Sequence, residues 1–106
     1  MNDTKTHNKI FGRRLKELRL DKGLSQKQLG ILAGIDEFVA STRVNRYEKG
    51  VHQASTAIAQ QLADVLEAPL AYFYTEDDLL AKLVISWDKL DVEKRDKILS
   101  LIFAHR

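Results

Sequence analysis

Three groups of residues in this chain could do chemistry: its histidines, its serines and paired acids, and the basic and amide side chains between Arg13 and Gly50. His7, His52 and His105 are scattered along the chain, with no helical i, i+4 pair to hold a metal ion. The glycines (12, 23, 30, 34 and 50) never fall at the spacing of a phosphate-cradling loop. Ser86 and Ser100 stand in helical stretches without a nearby base, and Asp77-Asp78 reads as a helix cap rather than a carboxylate pair for acid–base work. No catalytic residue, metal or cofactor is expected, so the chain does not read as an enzyme. The stretch Arg13–Gly50 is different. Two short helices meet there at Gly34, and the first carries Gly30 where a neighbouring helix must pass close. That is the pattern of a helix-turn-helix, whose second helix can enter the major groove of double-stranded DNA. Side chains on such a helix meet an informative array of donors and acceptors.

Composition agrees with a small binding domain. The chain has 106 residues and 12.1 kDa, with 44% apolar and 30% charged residues, which suits one folded unit. It has no cysteine, which excludes disulfide scaffolds, cysteine-ligated zinc and thiol chemistry. Apolar runs are short, so no membrane span or signal peptide is expected and the cytoplasm is the expected location. The net charge of +2 hides an asymmetry: residues 1–50 carry eleven Lys and Arg against six acids, and residues 51–106 carry six against nine. One half therefore suits a polyanion and the other suits something else.

With one proline and apolar residues mostly at helical spacing, the fold class is all-α. Residues 1–8 read as a loose N-terminal arm; its Lys5, with Lys9 just past it, would add sequence-blind attraction to DNA. Ile10, Phe11, Leu15 and Leu18 form one face of a first helix, with Arg13, Arg14, Lys16 and Glu17 largely on the others; Gly23 suits its C-terminal cap. Ser25, with Gln28 three residues on, makes a capping box for a second helix, Gln26 to about Leu32, with Leu29 and Leu32 inward. A third helix buries Val44 and Tyr47 and closes at Lys49-Gly50. Ser55 caps a fourth, striped by Ile58, Ala59, Leu62, Ala63 and Leu66. Pro69 opens a small helix holding Leu70 and Phe73. Thr75 with Asp78 should cap a helix striped by Leu80, Leu83, Val84 and Trp87, and Asp91 a last one with Ile98, Leu101 and Ile102 inward.

The run Leu24-Ser25-Gln26-Lys27-Gln28-Leu29-Gly30, then Ala33-Gly34-Ile35, then Val44-Asn45-Arg46-Tyr47-Glu48-Lys49-Gly50 resembles the phage-repressor and Cro family, also called the XRE family. Ala63-Asp64-Val65-Leu66-Glu67-Ala68-Pro69-Leu70 is similar to that family's fourth and fifth helices, so the resemblance covers about Ile10 to Phe73. It implies a five-helix lambda-repressor-like DNA-binding domain over residues 9–74; the two additional C-terminal helices, read from their apolar spacing over residues 75–106, lie beyond that core. It also implies a bacterial or phage-type setting and a regulator of transcription, a repressor by family habit. Matched position by position, the base-reading residues are Ser41, Thr42 and Arg46, with Arg43 and Asn45 beside the backbone or the next base. Arg46 can fork onto guanine O6 and N7. Ser41 and Thr42 are short enough either to read bases or to cap the helix. Gln26 matches the family's phosphate contact, at a helix N-terminus that already favours an anion. Arg19 and Glu48 match a structural ion pair, and each could equally serve as a plain surface charge. Lys49, His52 and Gln53 follow the third helix as backbone contacts, although a loop histidine is as readily only solvated.

One departure from the family pattern stands out. Gly34 to Glu48 is longer than usual, and the surplus around Asp36-Glu37-Phe38-Val39 must form either a longer turn or an extra first turn of the third helix. Asp36 could cap such an extension, with Phe38 packed beneath it, and Asp36 and Glu37 should face away from DNA. Beyond residue 75, Trp87, Leu90 and Phe103 add apolar surface that either folds back on the domain or makes a homodimer through the C-terminal helices. A dimer would present two recognition helices about one DNA turn apart. An antitoxin-like or restriction-controller protein, or a helical interaction module without DNA binding, remain the competing readings.

Overall fold

The computed structural model describes residues 3–104; Met1, Asn2, Arg106 and the terminal histidine, His105, lie outside. Six α-helices follow in order: α1 (Asp3–Asp21), α2 (Gln26–Leu32), α3 (Ala40–Glu48), α4 (Thr56–Val65), α5 (Asp78–Trp87) and α6 (Val92–Phe103). A 3-10 turn, Leu70–Tyr74, links α4 to α5, where the sequence predicted a small helix after Pro69. The described residues contain no strand.

The expected loose arm is helical from Asp3 onward. No glycine or proline interrupts residues 3–11. The segment also packs on the end of α3: a Cβ placed on Gly50 would lie 3.1 Å from Lys9 N and 3.2 Å from Asn8 C. Further along α1, Gly12 performs a stricter task. A Cβ there would meet the Glu48 carbonyl oxygen at 2.3 Å and that of Tyr47 at 2.5 Å. The backbones of α1 and α3 can touch only because this position has no side chain. Gly30 does the same for α2 and α3, since its Cβ would sit 2.7 Å from Ala40 Cβ.

Around these contacts Leu15, Leu29, Val44, Leu62 and Phe73 are fully buried, and the Phe11 ring centroid lies 5.5 Å from that of Phe73. The capping box of Ser25 and Gln28 forms as expected, and Ser55 and Asp91 cap α4 and α6. Leu32, expected inward, is exposed. Helix α2 is so short that Leu29, Gly30 and then Ala33 use up its inward side.

The charged side of α1 also differs from expectation. Arg14 is only 3% exposed. Its guanidinium donates to the Thr75 carbonyl (2.9 and 3.1 Å), the Glu76 carbonyl (3.0 Å) and Asp78 Oδ1 (3.0 Å). A buried cation is tolerated here because Nε and Nη2 are hydrogen-bonded and Nη1 faces the Glu17 carboxylate at 3.6 Å. Arg13 adds a second bond to Asp78 at 3.1 Å, and the two guanidiniums hold that carboxyl below the usual carboxylate range. Asp78 is thereby drawn away from capping, so Asp77 Oδ1 caps α5 by accepting from Leu80 N. Thr75, the expected cap, instead donates its hydroxyl to the Ala71 carbonyl. Helix α5 buries Ala81, with Val84 and Ile85 packed on the core, while Leu80 and Leu83 are exposed. Helix α6 has no buried residue: Leu101 (77%) and Ile102, expected inward, face outward. They lie past the point where the chain has any core left to meet.

Replacing Gly12 with alanine should lower stability by about 3 kcal/mol, because the added methyl meets rigid backbone rather than a movable side chain. Urea unfolding followed by circular dichroism measures this, and Gly23→Ala is not an equivalent control because Gly23 has φ +68°.

Candidate nucleic-acid interface

The surplus residues between α2 and α3 form a longer turn, not an added helical turn. Val39 N donates to the Asp36 carbonyl (3.1 Å) and Phe38 N donates to Asp36 Oδ1 (2.8 Å). Val39 is the N-terminal cap position of α3 and supplies no side-chain bond. Asp36 therefore braces the turn rather than capping the helix. Phe38 is not packed beneath it but is 88% exposed. The close contact of Gly30 with Ala40 leaves no room for a ring between α2 and α3.

Ser41 and Thr42 consequently lie inside the first turn of α3, not at its cap, and both are exposed. The buried side of α3 is Ala40, Val44 and Tyr47, the i, i+4, i+7 spacing of a seated helix. Thr42, Arg46 and Lys49 occupy the opposite side and are exposed. The Arg46 guanidinium has no hydrogen-bond or ion-pair partner among the described residues, so its five donors face solvent. Arg43 is exposed too, but its Nη2 donates to Tyr47 Oη at 2.6 Å and its guanidinium lies 5.7 Å from the Tyr47 ring centre. His52 and Gln53 are exposed on the segment after α3.

The carboxylate of Glu48 is the acid of α3, and it is turned inward with its side chain 3% exposed. Arg19 holds it in a two-pronged pair, Nε to Oε2 at 2.5 Å and Nη2 to Oε1 at 3.1 Å, while Nη1 donates to the Leu24 carbonyl at 2.9 Å. Gln26, at the first position of α2, extends the network: its Nε2 donates to Glu48 Oε1 (3.0 Å) and to Asn45 Oδ1 (3.1 Å). Gln26, Asn45, Glu48 and Arg19 thus form one connected group that ties the start of α2 and the end of α1 to α3. Residue spacing suggested the Arg19–Glu48 pair but not the Gln26 bridge, which depends on how α2 crosses α3. The exposed outer side of α3 carries no carboxylate. A rigid helix offering hydroxyls, a free guanidinium and an ammonium group suits a polyanion with readable base edges.

The chain matches the family described as a helix-turn-helix domain over residues 10–71. It is 34% identical over 65 residues to the uncharacterized HTH-type transcriptional regulator y4aM of Sinorhizobium fredii, a match covering 61% of this chain and 43% of that protein. The chain thus spans less than half the length of that relative. It is also similar to the crystal structure of the transcriptional regulator BswR, with 44% identity and a TM-score of 0.78 over 86% of this chain and 90% of that one. That coverage extends the shared architecture outside residues 10–71.

Replacing Glu48 with alanine should cost about 3 kcal/mol of stability, because it strands the buried Arg19 guanidinium and removes an acceptor from Gln26. Glu48→Gln, which keeps one acceptor oxygen, should cost less; denaturant titration of the two variants checks the order.

Proposed function

The chain belongs to the helix-turn-helix domain family, as its XRE-type motif implies, and we propose that it is a sequence-specific double-stranded DNA-binding regulator of transcription. In this reading it is a cytoplasmic repressor that occupies a palindromic operator as a homodimer, and blocking polymerase by occupancy needs no further chemistry. Residues 9–74 form the DNA-binding unit and residues 75–106 the assembly unit. The observation that carries the proposal is the acid-free outer side of α3, where Ser41, Thr42 and Arg46 stand exposed over a fully buried base. Arg46 reads a guanine through its fork, and Ser41 and Thr42 read neighbouring base edges. Lys49, His52 and Gln53 follow the phosphate backbone, with Arg43 and Asn45 beside it. Gln26 sets the pose of Asn45 and stands at a helix N-terminus, where unpaired backbone donors favour a phosphate.

The homodimer rests on α6. Leu99, Leu101 and Ile102 expose apolar side chains on a helix with no buried residue, and one recognition helix covers too few base pairs for useful specificity. Pairing through this face would supply the second.

Selection of bound sequences from random duplex DNA tests the reading directly, and a two-fold symmetric site is the expected result. Arg46→Ala should then weaken binding by about 1–3 kcal/mol and relax preference at one base pair per half-site, whereas Gln26→Ala should weaken all duplexes alike. Sedimentation should show a dimer for the native chain. The double replacement Leu101→Asp with Ile102→Asp should give a monomer with weakened operator binding and unchanged helix content.

A further inference from the structure

Phe38 is a large apolar side chain that the fold leaves 88% exposed, yet its position is well defined. Its N–H is held by Asp36 Oδ1, and the next residue, Val39, closes the turn on the Asp36 carbonyl. Val39 in turn accepts from Arg43 N at 2.9 Å as the first bond of α3, and Ala40 is seated against Gly30. Val39 itself is not helical (φ −120°, ψ −1°), so α3 begins at Ala40 and Phe38 belongs to the turn. Phe38 stands in the turn two residues before the start of α3 and three before Ser41. Its exposed ring therefore lies beside the N-terminal end of α3, where Ser41 and Thr42 are too short to reach far. The Asp36 carboxylate beside it accepts from the Phe38 N–H through Oδ1.

An exposed ring beside the start of α3 is placed to meet an apolar group on whatever that end of the helix enters. The major groove offers one such group, the C5-methyl of thymine. We infer that Phe38 is a specificity-determining residue, whose ring packs on a thymine methyl ahead of the bases met by Ser41, Thr42 and Arg46. This rests on the DNA-binding reading above. Because Phe38 contributes nothing to the core, its replacement leaves the fold intact and isolates the contact.

The test uses the full chain and the duplex obtained by selection, with each thymine in turn replaced by uracil, which removes only the methyl group. At one position per half-site uracil should weaken the native protein about fourfold, the worth of one buried methyl. Phe38→Ala should bind the thymine duplex several-fold more weakly and lose the distinction between thymine and uracil, while Phe38→Leu keeps part of it. Circular dichroism should superimpose for all three proteins. Equal binding of thymine and uracil duplexes by the native chain, or an undiminished distinction in Phe38→Ala, overturns the role of Phe38 alone. Absence of salt-dependent binding to any duplex overturns the DNA-binding reading and this inference with it.

Discussion

A nine-residue helix has no stability of its own in water, so everything α3 can do depends on the surface that holds it. That surface is backbone brought to backbone. Gly12 lets α1 touch the carbonyls of Tyr47 and Glu48, and Gly30 lets α2 touch Ala40. A methyl group at either place would push α3 outward. The Arg19–Glu48 pair then locks the rotation of the helix about its axis, because the two-pronged geometry holds only in one orientation. Close approach fixes where α3 lies, and the ion pair fixes which side chains face out.

The charge asymmetry of the sequence has a second use inside the fold. Arg13 and Arg14 of the basic half reach Asp78 of the acidic half, and Lys22 reaches Glu67 at 2.6 Å. Exposed pairs such as Lys22–Glu67 contribute little each. Arg14 is different, because its cation is buried and would be left unsatisfied if α5 moved away. Part of the positive charge that suggested a polyanion is thus spent on holding the start of α5. Arg43 and Arg46 of α3, with Lys49 just past its end, stay exposed.

What could be read beforehand was set by short-range geometry. Ser25 with Gln28, Ser55 and Asp91 are caps because each side chain bonds a backbone donor three residues away. Gly30 and the Val44–Tyr47 pair were equally legible, since a small residue and an apolar repeat carry their meaning locally. The misreadings share a cause at longer range. Leu32 obeys helical spacing but α2 is too short to bury it. Thr75 has a cap's chemistry, yet the Ala71 carbonyl takes its hydroxyl and Arg14 takes Asp78. Arg14 looked like surface charge because nothing local announces that Thr75 and Glu76 will present carbonyls to it. Gly12 offered a signal that could have been used: glycine inside a helix costs about 1 kcal/mol against alanine, so its presence in an otherwise regular helix marks a close neighbour.

The two ends of the molecule are built on different terms. Residues that face outward from α3 owe their pose to α1 and α2, whereas α6 is tied back through Arg95, whose Nε donates to the Trp87 carbonyl and whose guanidinium lies 5.5 Å from the indole centre. With no buried residue, α6 draws almost none of its stability from apolar burial within the single chain. Its Leu101 and Ile102 contribute only when another surface covers them. Covering them would not reshape α3, because the contacts that seat α3 involve α1, α2 and the turn before it. In the proposed dimer, association would therefore act on DNA affinity by placing a second recognition helix at high effective concentration, leaving the base preference of each half to α3 and its preceding turn.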